Sequence, residues 1–236
     1  MAGRTDHICS GRTCMFCRVL DNPQRAKLAG TRAFMDNQVI ERVKELEQRS
    51  LLTAGQTNLS SANGEEIEKL ALLDTLTELY NSRTFIKEVK DELKRAKRYK
   101  RPVSLCMVAV DGFRDIQRSY GALTSDAVLK VIGGVLRGAV RDVDIPARYS
   151  SEEFAIILPK RNKEQGYIIA ERIRQAIEKH VFSKITQNPR LTLTVSIGLA
   201  TFPQDAQSKE ELILEADRAM YIAKFAGKNQ ICIANK

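Results

Sequence analysis

Tryptophan is absent from this 236-residue chain, histidine occurs twice, and aromatic residues make up only 6%. That scarcity weakens any reading built on stacking bases along a single nucleic-acid strand. Long apolar runs are missing as well. Stretches such as Leu105 to Val110 and Phe154 to Leu158 are far short of the roughly 20 residues that span a bilayer as a helix. The opening MAGRTDHICSGRTC lacks the apolar core of a signal peptide. A cytoplasmic protein is therefore expected, with its five cysteines as thiols or metal ligands rather than disulfides.

What the chain does have is ordinary globular material and an excess of base. Hydrophobic residues make up 43% and charged residues 28%, so wholesale disorder is excluded. Thirty-eight Lys and Arg stand against 29 Asp and Glu, a formal charge of +9. Such a balance suits an anionic partner: a nucleic acid, an anionic membrane surface or a phosphorylated small molecule.

Three regions are expected. Residues 1–31 are irregular and hold His7, Cys9, Cys14 and Cys17. Zinc could take these thiolates and the imidazole at tetrahedral corners. Redox or cluster chemistry, and no metal at all, are the alternatives, since metal knuckles usually draw on a second ligand cluster. Residues 32–64 comprise a helix over 32–52, with Val39, Ile40, Val43 and Leu46 on one stripe, and a polar Gly-containing linker. Residues 65–236 have the pattern of a compact domain. Helices are expected at 83–99, 112–119, 124–140, 163–181 and 208–226. Strands are expected at 103–110, 146–149, 154–158, 191–200 and 231–233. The second and third strands meet at the turn Ser150-Ser151-Glu152-Glu153. Strands interleaved with helices, with one hairpin inside, imply an α/β sandwich or α+β fold. Cys106 and Cys232 fall in strands and read as small buried hydrophobes.

Five ordered segments of this domain resemble the GGDEF domains of the diguanylate cyclase family. They are DTLTELYNSRTF (74–85), LCMVAVDGFRDIQRSYG (105–121), RYSSEEF (148–154), TVSIGLA (194–200) and ADRAMYIAKFAGKN (216–229). The resemblance implies a palm-like α+β fold: a mixed, mainly antiparallel five-stranded sheet flanked by helices. Active members join two GTP molecules, one on each subunit of a homodimer, into cyclic di-GMP. Two divalent metals, Mg²⁺ by implication, assist the displacement of pyrophosphate.

Carried over residue by residue, the resemblance assigns a damaged site. The first metal carboxylate of the family's Asp-x-Asp pair falls on Ala109, whose methyl group cannot ligate a hard cation. The second metal carboxylate is kept as Glu152, beside Glu153, and the ligating backbone carbonyl falls on Val110. Asp111 follows two residues after Ala109, too far along the strand to replace it without a backbone shift or a bridging water. The signature glycines are Ser150 and Ser151, which adopt a positive φ less readily in a tight turn; either the turn is strained or a slightly different turn replaces the usual one. Phe113 and Arg114 match the phosphate loop, Gln117 and Asp126 the guanine-reading pair, and Lys224 and Lys228 two basic phosphate ligands spaced four apart on one helix face. Arg141, Asp144 and Arg172 match the RxxD site that binds the product, where an arginine fork can pair with phosphate and stack on guanine.

The function expected is a degenerate, catalytically impaired GGDEF signalling protein that binds cyclic di-GMP at the RxxD site and acts on an unidentified downstream partner. The alternatives are a weak but active cyclase and a non-catalytic GTP-binding domain. A nucleic-acid partner ranks last.

Overall fold

The fold is taken from a computed structural model, which describes residues 72–182 and 192–235 together with isolated positions 41, 44 and 185. The N-terminal segment with His7, Cys9, Cys14 and Cys17 lies outside the described residues. So do helix 32–52, apart from Glu41 and Lys44, and the linker.

Helix α1, Ser82–Tyr99, begins where the Asn81 side chain accepts from the Thr84 amide at 2.9 Å. It ends at Lys100, a left-handed residue at φ 51°, just before Pro102. Phe85, Ile86, Val89, Leu93 and Ala96 recur at helical spacing and are all buried. Strand β1, Val103–Val110, is buried along its whole length. Left-handed Gly112 (φ 68°) turns the chain into α2, Phe113–Ala139. The two helices expected at 112–119 and 124–140 are one element, kinked where Gly121 leaves the helical region at φ 79°. Strands β2 (Ile145–Arg148) and β3 (Glu153–Pro159) form the expected hairpin. A reciprocal capping box between Asn162 and Gln165 opens α3, Lys163–Glu178. Strand β4 is Val195–Phe202, four residues later than the 191–200 expected. Its limits are those of its partner. β4 pairs antiparallel with β1 from Val110↔Val195 to Val103↔Phe202, and Val110 is the last residue of β1. Ser208 caps α4, Lys209–Phe225, and β5, Ile231–Ile233, closes the described chain.

The sheet order is β2-β3-β1-β4-β5, antiparallel except for the β4–β5 pair. This is the palm-like, mainly antiparallel α+β arrangement expected. Successive residues of β1 face opposite sides. Cys106, Val108 and Val110 pack with Ile132 and Leu136 of α2 and Ile169 and Ile173 of α3. Leu105, Met107 and Ala109 pack with Phe85 and Val89 of α1 and Leu212 and Met220 of α4. With helices on both faces, β1 reads as one apolar run rather than an alternation. Helix α4 lies directly on β4 at Gly198, where an added Cβ would stand 2.0 Å from the Ala216 carbonyl oxygen. That close approach fixes the height of α4, and with it Lys224, over the end of the sheet.

Candidate functional site

Two cavities hold most of the expected site residues. The first, about 350 Å³, opens where β1 runs into the start of α2. Val110, Phe113, Arg114, Glu152, Lys224 and Lys228 all line it, so one site collects residues from five separate segments. Arg118 lines it too. Sequence reasoning missed Arg118, although it follows Arg114 by one helical turn and so shares its face. Gln117 and Asp126 are exposed on α2 and do not line this cavity.

The hairpin that brings Glu152 there is not strained at its serines. The Tyr149 and Ser150 amides both donate to the Glu153 carbonyl, at 2.9 and 3.0 Å. The turn is thus wider than a two-residue connection, and neither Ser150 nor Ser151 has a positive φ. The expected conflict between serine and a glycine-type backbone does not arise. The Ser150 hydroxyl instead donates to Glu153 Oε2 at 2.7 Å. Lys224 Nζ stands 3.9 Å from Glu153 Oε1, while among the described residues the Glu152 carboxylate has no ion-pair or hydrogen-bond partner.

Arg148 braces the hairpin from below. Its guanidinium donates to the Ser150 and Ser151 carbonyls and, at 3.2 Å, to both oxygens of Asp74. Burial alone would raise the Asp74 carboxyl. Hydrogen bonds from Thr77 and the Arg148 charge outweigh it and hold the group below its usual value.

Lys224 and Lys228 do not share a helix face, as their spacing had implied. Helix α4 ends at Phe225, and Lys228 sits in the following turn with φ 63°. They reach the same cavity because the chain turns there.

Ala109 has no exposed surface, and its methyl group packs in the α1/α4 core. Asp111 is already engaged. Ser196 Oγ donates to its Oδ1 at 2.7 Å, and Thr194 Oγ1 and the Asn229 amide donate to its Oδ2 at 2.7 and 3.0 Å. Glu152, the main chain of Val110 and Asp115, an exposed carboxylate on the first turn of α2 that stands 3.9 Å from Arg118, remain as oxygen donors. That set does not fit a pair of Mg²⁺ ions, each of which requires near-octahedral oxygen ligation.

The second cavity, about 250 Å³, lies between the C-terminal end of α2 and β2, with Arg137, Arg141, Asp144 and Tyr80 in its wall. Asp144 closes a tight turn. The Arg141 amide donates to its Oδ2 at 3.0 Å, and its own amide donates to the Arg141 carbonyl at 2.9 Å. Asp144 is 4% exposed, and among the described residues its Oδ1 has no hydrogen-bond partner. Arg172 stands beside this cavity rather than in its wall, donating to the Ala139 carbonyl that ends α2. Arg137, another residue missed from the sequence, precedes Arg141 by four. It donates to the Glu78 and Thr77 carbonyls at 2.5 and 3.3 Å. Burial, with the Asp144 charge adding to it, pushes the nearby Cys106 thiol up to about 12. That thiol is inert and packs as a small hydrophobe.

The fold is a palm-like sheet with a cavity at the end of β1 and a second beside β2. The family model described as "Diguanylate cyclase, GGDEF domain" matches residues 71–230, and the chain belongs to that family. It is 33% identical over 163 residues to the response regulator PleD of Caulobacter vibrioides, covering 69% of this chain and 36% of that one. It is 35% identical over 159 residues to the diguanylate cyclase DosC of Escherichia coli K12, covering 67% and 34%. The chain thus spans about a third of the length of these curated relatives. Among solved structures it is similar to the GGDEF domain of DgcB from Caulobacter crescentus in complex with c-di-GMP. The TM-score is 0.67 at 26% identity, over 70% of this chain and 94% of that one. No described helix is long and apolar enough to cross a membrane.

Proposed function

We propose that this domain is a degenerate GGDEF module in cyclic di-GMP signalling: impaired as a cyclase, and binding cyclic di-GMP through Arg141, Asp144 and Arg172. The observation that carries the reading is Ala109. The position matched to the first metal carboxylate is a methyl group sealed in the core, and the neighbouring Asp111 has both oxygens engaged. Nothing adjacent takes over the lost ligand. The RxxD turn, by contrast, is intact. Asp144 holds the backbone of Arg141 so that the exposed Arg141 side chain stands at the rim of a cavity with a second guanidinium, Arg137, in its wall. Arginine forks recognise phosphate oxygens and guanine edges bidentately. The DgcB domain, similar to this one, was solved with that dinucleotide bound.

The rim of the first cavity supports a second ligand. Arg114, Arg118, Lys224 and Lys228 form a cationic wall at the start of a helix, suited to a triphosphate. GTP held there without turnover would act as a regulatory ligand. A weak cyclase is the competing reading, favoured by the Glu152 carboxylate at the same cavity, which among the described residues has no partner. That reading needs a second copy of the chain to present the other GTP.

The test is incubation of the purified chain with GTP and Mg²⁺ or Mn²⁺, alongside calorimetric titration with cyclic di-GMP. The expected result is no appreciable product, with dinucleotide binding that Arg141→Ala abolishes. Cyclic di-GMP that forms in the wild type and disappears in Glu152→Ala would establish the cyclase instead.

A further inference from the structure

The turn that carries Lys228 is an unfavourable piece of backbone. Lys228 and Asn229 are consecutive non-glycine residues with left-handed φ values of 63° and 46°. L-residues visit this region at a cost and remain there only when their surroundings impose it. Here the surroundings are specific. The Lys228 amide donates to the Ala223 carbonyl at 3.1 Å, closing the end of α4. The next amide, Asn229, donates to Asp111 Oδ2 at 3.0 Å across 118 residues of sequence. The Asn229 side chain is held from the other side. Its Oδ1 accepts from Arg174 Nη1 at 2.7 Å and its Nδ2 donates to Glu178 Oε1 at 2.7 Å.

Asp111 is equally committed. Its carboxylate lies in the wall of a cavity lined by four cations and two further carboxylates, Asp115 and Glu152, where another free negative charge would repel an anion. Three donors absorb it instead: the Thr194 and Ser196 hydroxyls of the β4 region and the Asn229 amide. The Asp111 amide in turn donates to the Thr194 carbonyl at 2.9 Å. One residue thereby joins the entry to α2, the lead into β4 and the turn after α4. These segments supply Arg114, Arg118 and Lys228 to the cavity.

We propose that Asp111 is a positioning residue for anion binding: through Asn229 it holds the left-handed turn that sets Lys228 on the rim of the polyphosphate cavity. The inference rests on the reading of that cavity as a GTP site. It assigns the retained carboxylate a task separate from metal ligation.

The experiment uses the full chain, with tripolyphosphate and GTP as probes in the presence of a chelator. Affinity, thermal midpoint and amide hydrogen exchange at Asn229 are measured. Wild type binds tripolyphosphate, and Lys228→Ala weakens it about tenfold, the usual scale for one charge-assisted contact. Asp111→Ala is expected to weaken it comparably and to lose protection at the Asn229 amide. The double variant should be no weaker than either single one, because both remove the same contact. Asp111→Asn should restore most of the affinity, since its amide can keep one acceptor toward Asn229 and donate to Ser196. A merely structural role would lower the thermal midpoint of Asp111→Ala while leaving affinity unchanged, or would give losses that add to those of Lys228→Ala. Either result overturns the proposal. If tripolyphosphate binds as described but GTP binds no better, the GTP reading fails and the positioning role stands. If neither probe binds the wild type, both fail.

Discussion

The two cavities are built by opposite means. At the RxxD turn the decisive contacts are local: Arg141 and Asp144 bond each other three residues apart, and only Arg137 in the wall is tied to distant backbone, at Thr77 and Glu78. At the polyphosphate cavity the decisive contacts are distant. Asp111 reaches Asn229 across 118 residues and Ser196 across 85, and Lys224 depends on how closely α4 sits on β4. A local turn survives strain elsewhere in the domain, whereas a site assembled from five segments requires every one of them in place. The difference teaches that mutations far from either cavity should damage the polyphosphate site first and the RxxD site last.

The strongest way to break the comparison is Gly198→Val. Its side chain would collide with the backbone of α4 at Ala216 and Met220, where no side chain can yield. Overpacking of this kind costs about 3 kcal/mol or more. Denaturant unfolding should show that loss, with α4 and its Lys224 displaced before the Arg141 turn is affected.

Next in size is the Asp144 turn itself. Asp144→Ala removes the acceptor for the Arg141 amide in a buried setting, so a loss of about 1–2 kcal/mol is expected in thermal unfolding. Arg141→Ala keeps that backbone contact. It should therefore leave the melting midpoint nearly unchanged while removing dinucleotide binding. A large drop in stability for Arg141→Ala would show that the turn is not self-contained.

A pH series sharpens the contrast at the hairpin. The folded-state carboxyl of Asp74 is held below its ordinary value of 3.8 by the Thr77 and Arg148 contacts, which outweigh its burial. A depressed acid stabilises the fold above its unfolded value, and that stabilisation is lost as pH falls through the folded one. The stability advantage of wild type over Asp74→Asn should thus be constant at neutral pH and begin to shrink as pH drops through about 4. An unchanged difference down to the acid limit would disprove the depressed carboxyl.

The smallest effect is expected on α1. The Lys94–Asp91 pair is 3.1 Å long, with the lysine side chain 68% exposed. Lys94→Ala should change stability by about 0.5 kcal/mol or less, and should leave both cavities unaltered.

Much of the domain was legible in the chain. The helices announced themselves by apolar residues at three- and four-residue steps, while their caps, Asn81, Asn162 and Ser208, came from the structure. The central strand announced itself as an apolar run because helices cover both of its faces. The ends of elements were less legible. β4 begins opposite Val110, the last residue of β1, and the two expected helices join through a single kink at Gly121. At the sites, residue types were readable but their circumstances were not. The four-residue spacing of Lys224 and Lys228 implied a shared helix face, and the helix ends between them. The serines of the hairpin implied either a strained turn or a different one, and hydrogen bonds to Glu153 widen the turn so that no strain is needed.

By itself the sequence determined the family, the order of elements and the presence of alanine at position 109. These follow from residue identity and from spacings of two to four positions, which local backbone geometry converts directly into structure. Only the tertiary structure decided that Asp111 is occupied, that Lys228 stands in a left-handed turn, and that Arg118 and Arg137 join the cavities. Those facts depend on which atoms meet across the sheet, and hydrogen bonds between residues a hundred positions apart leave no periodic trace in the chain.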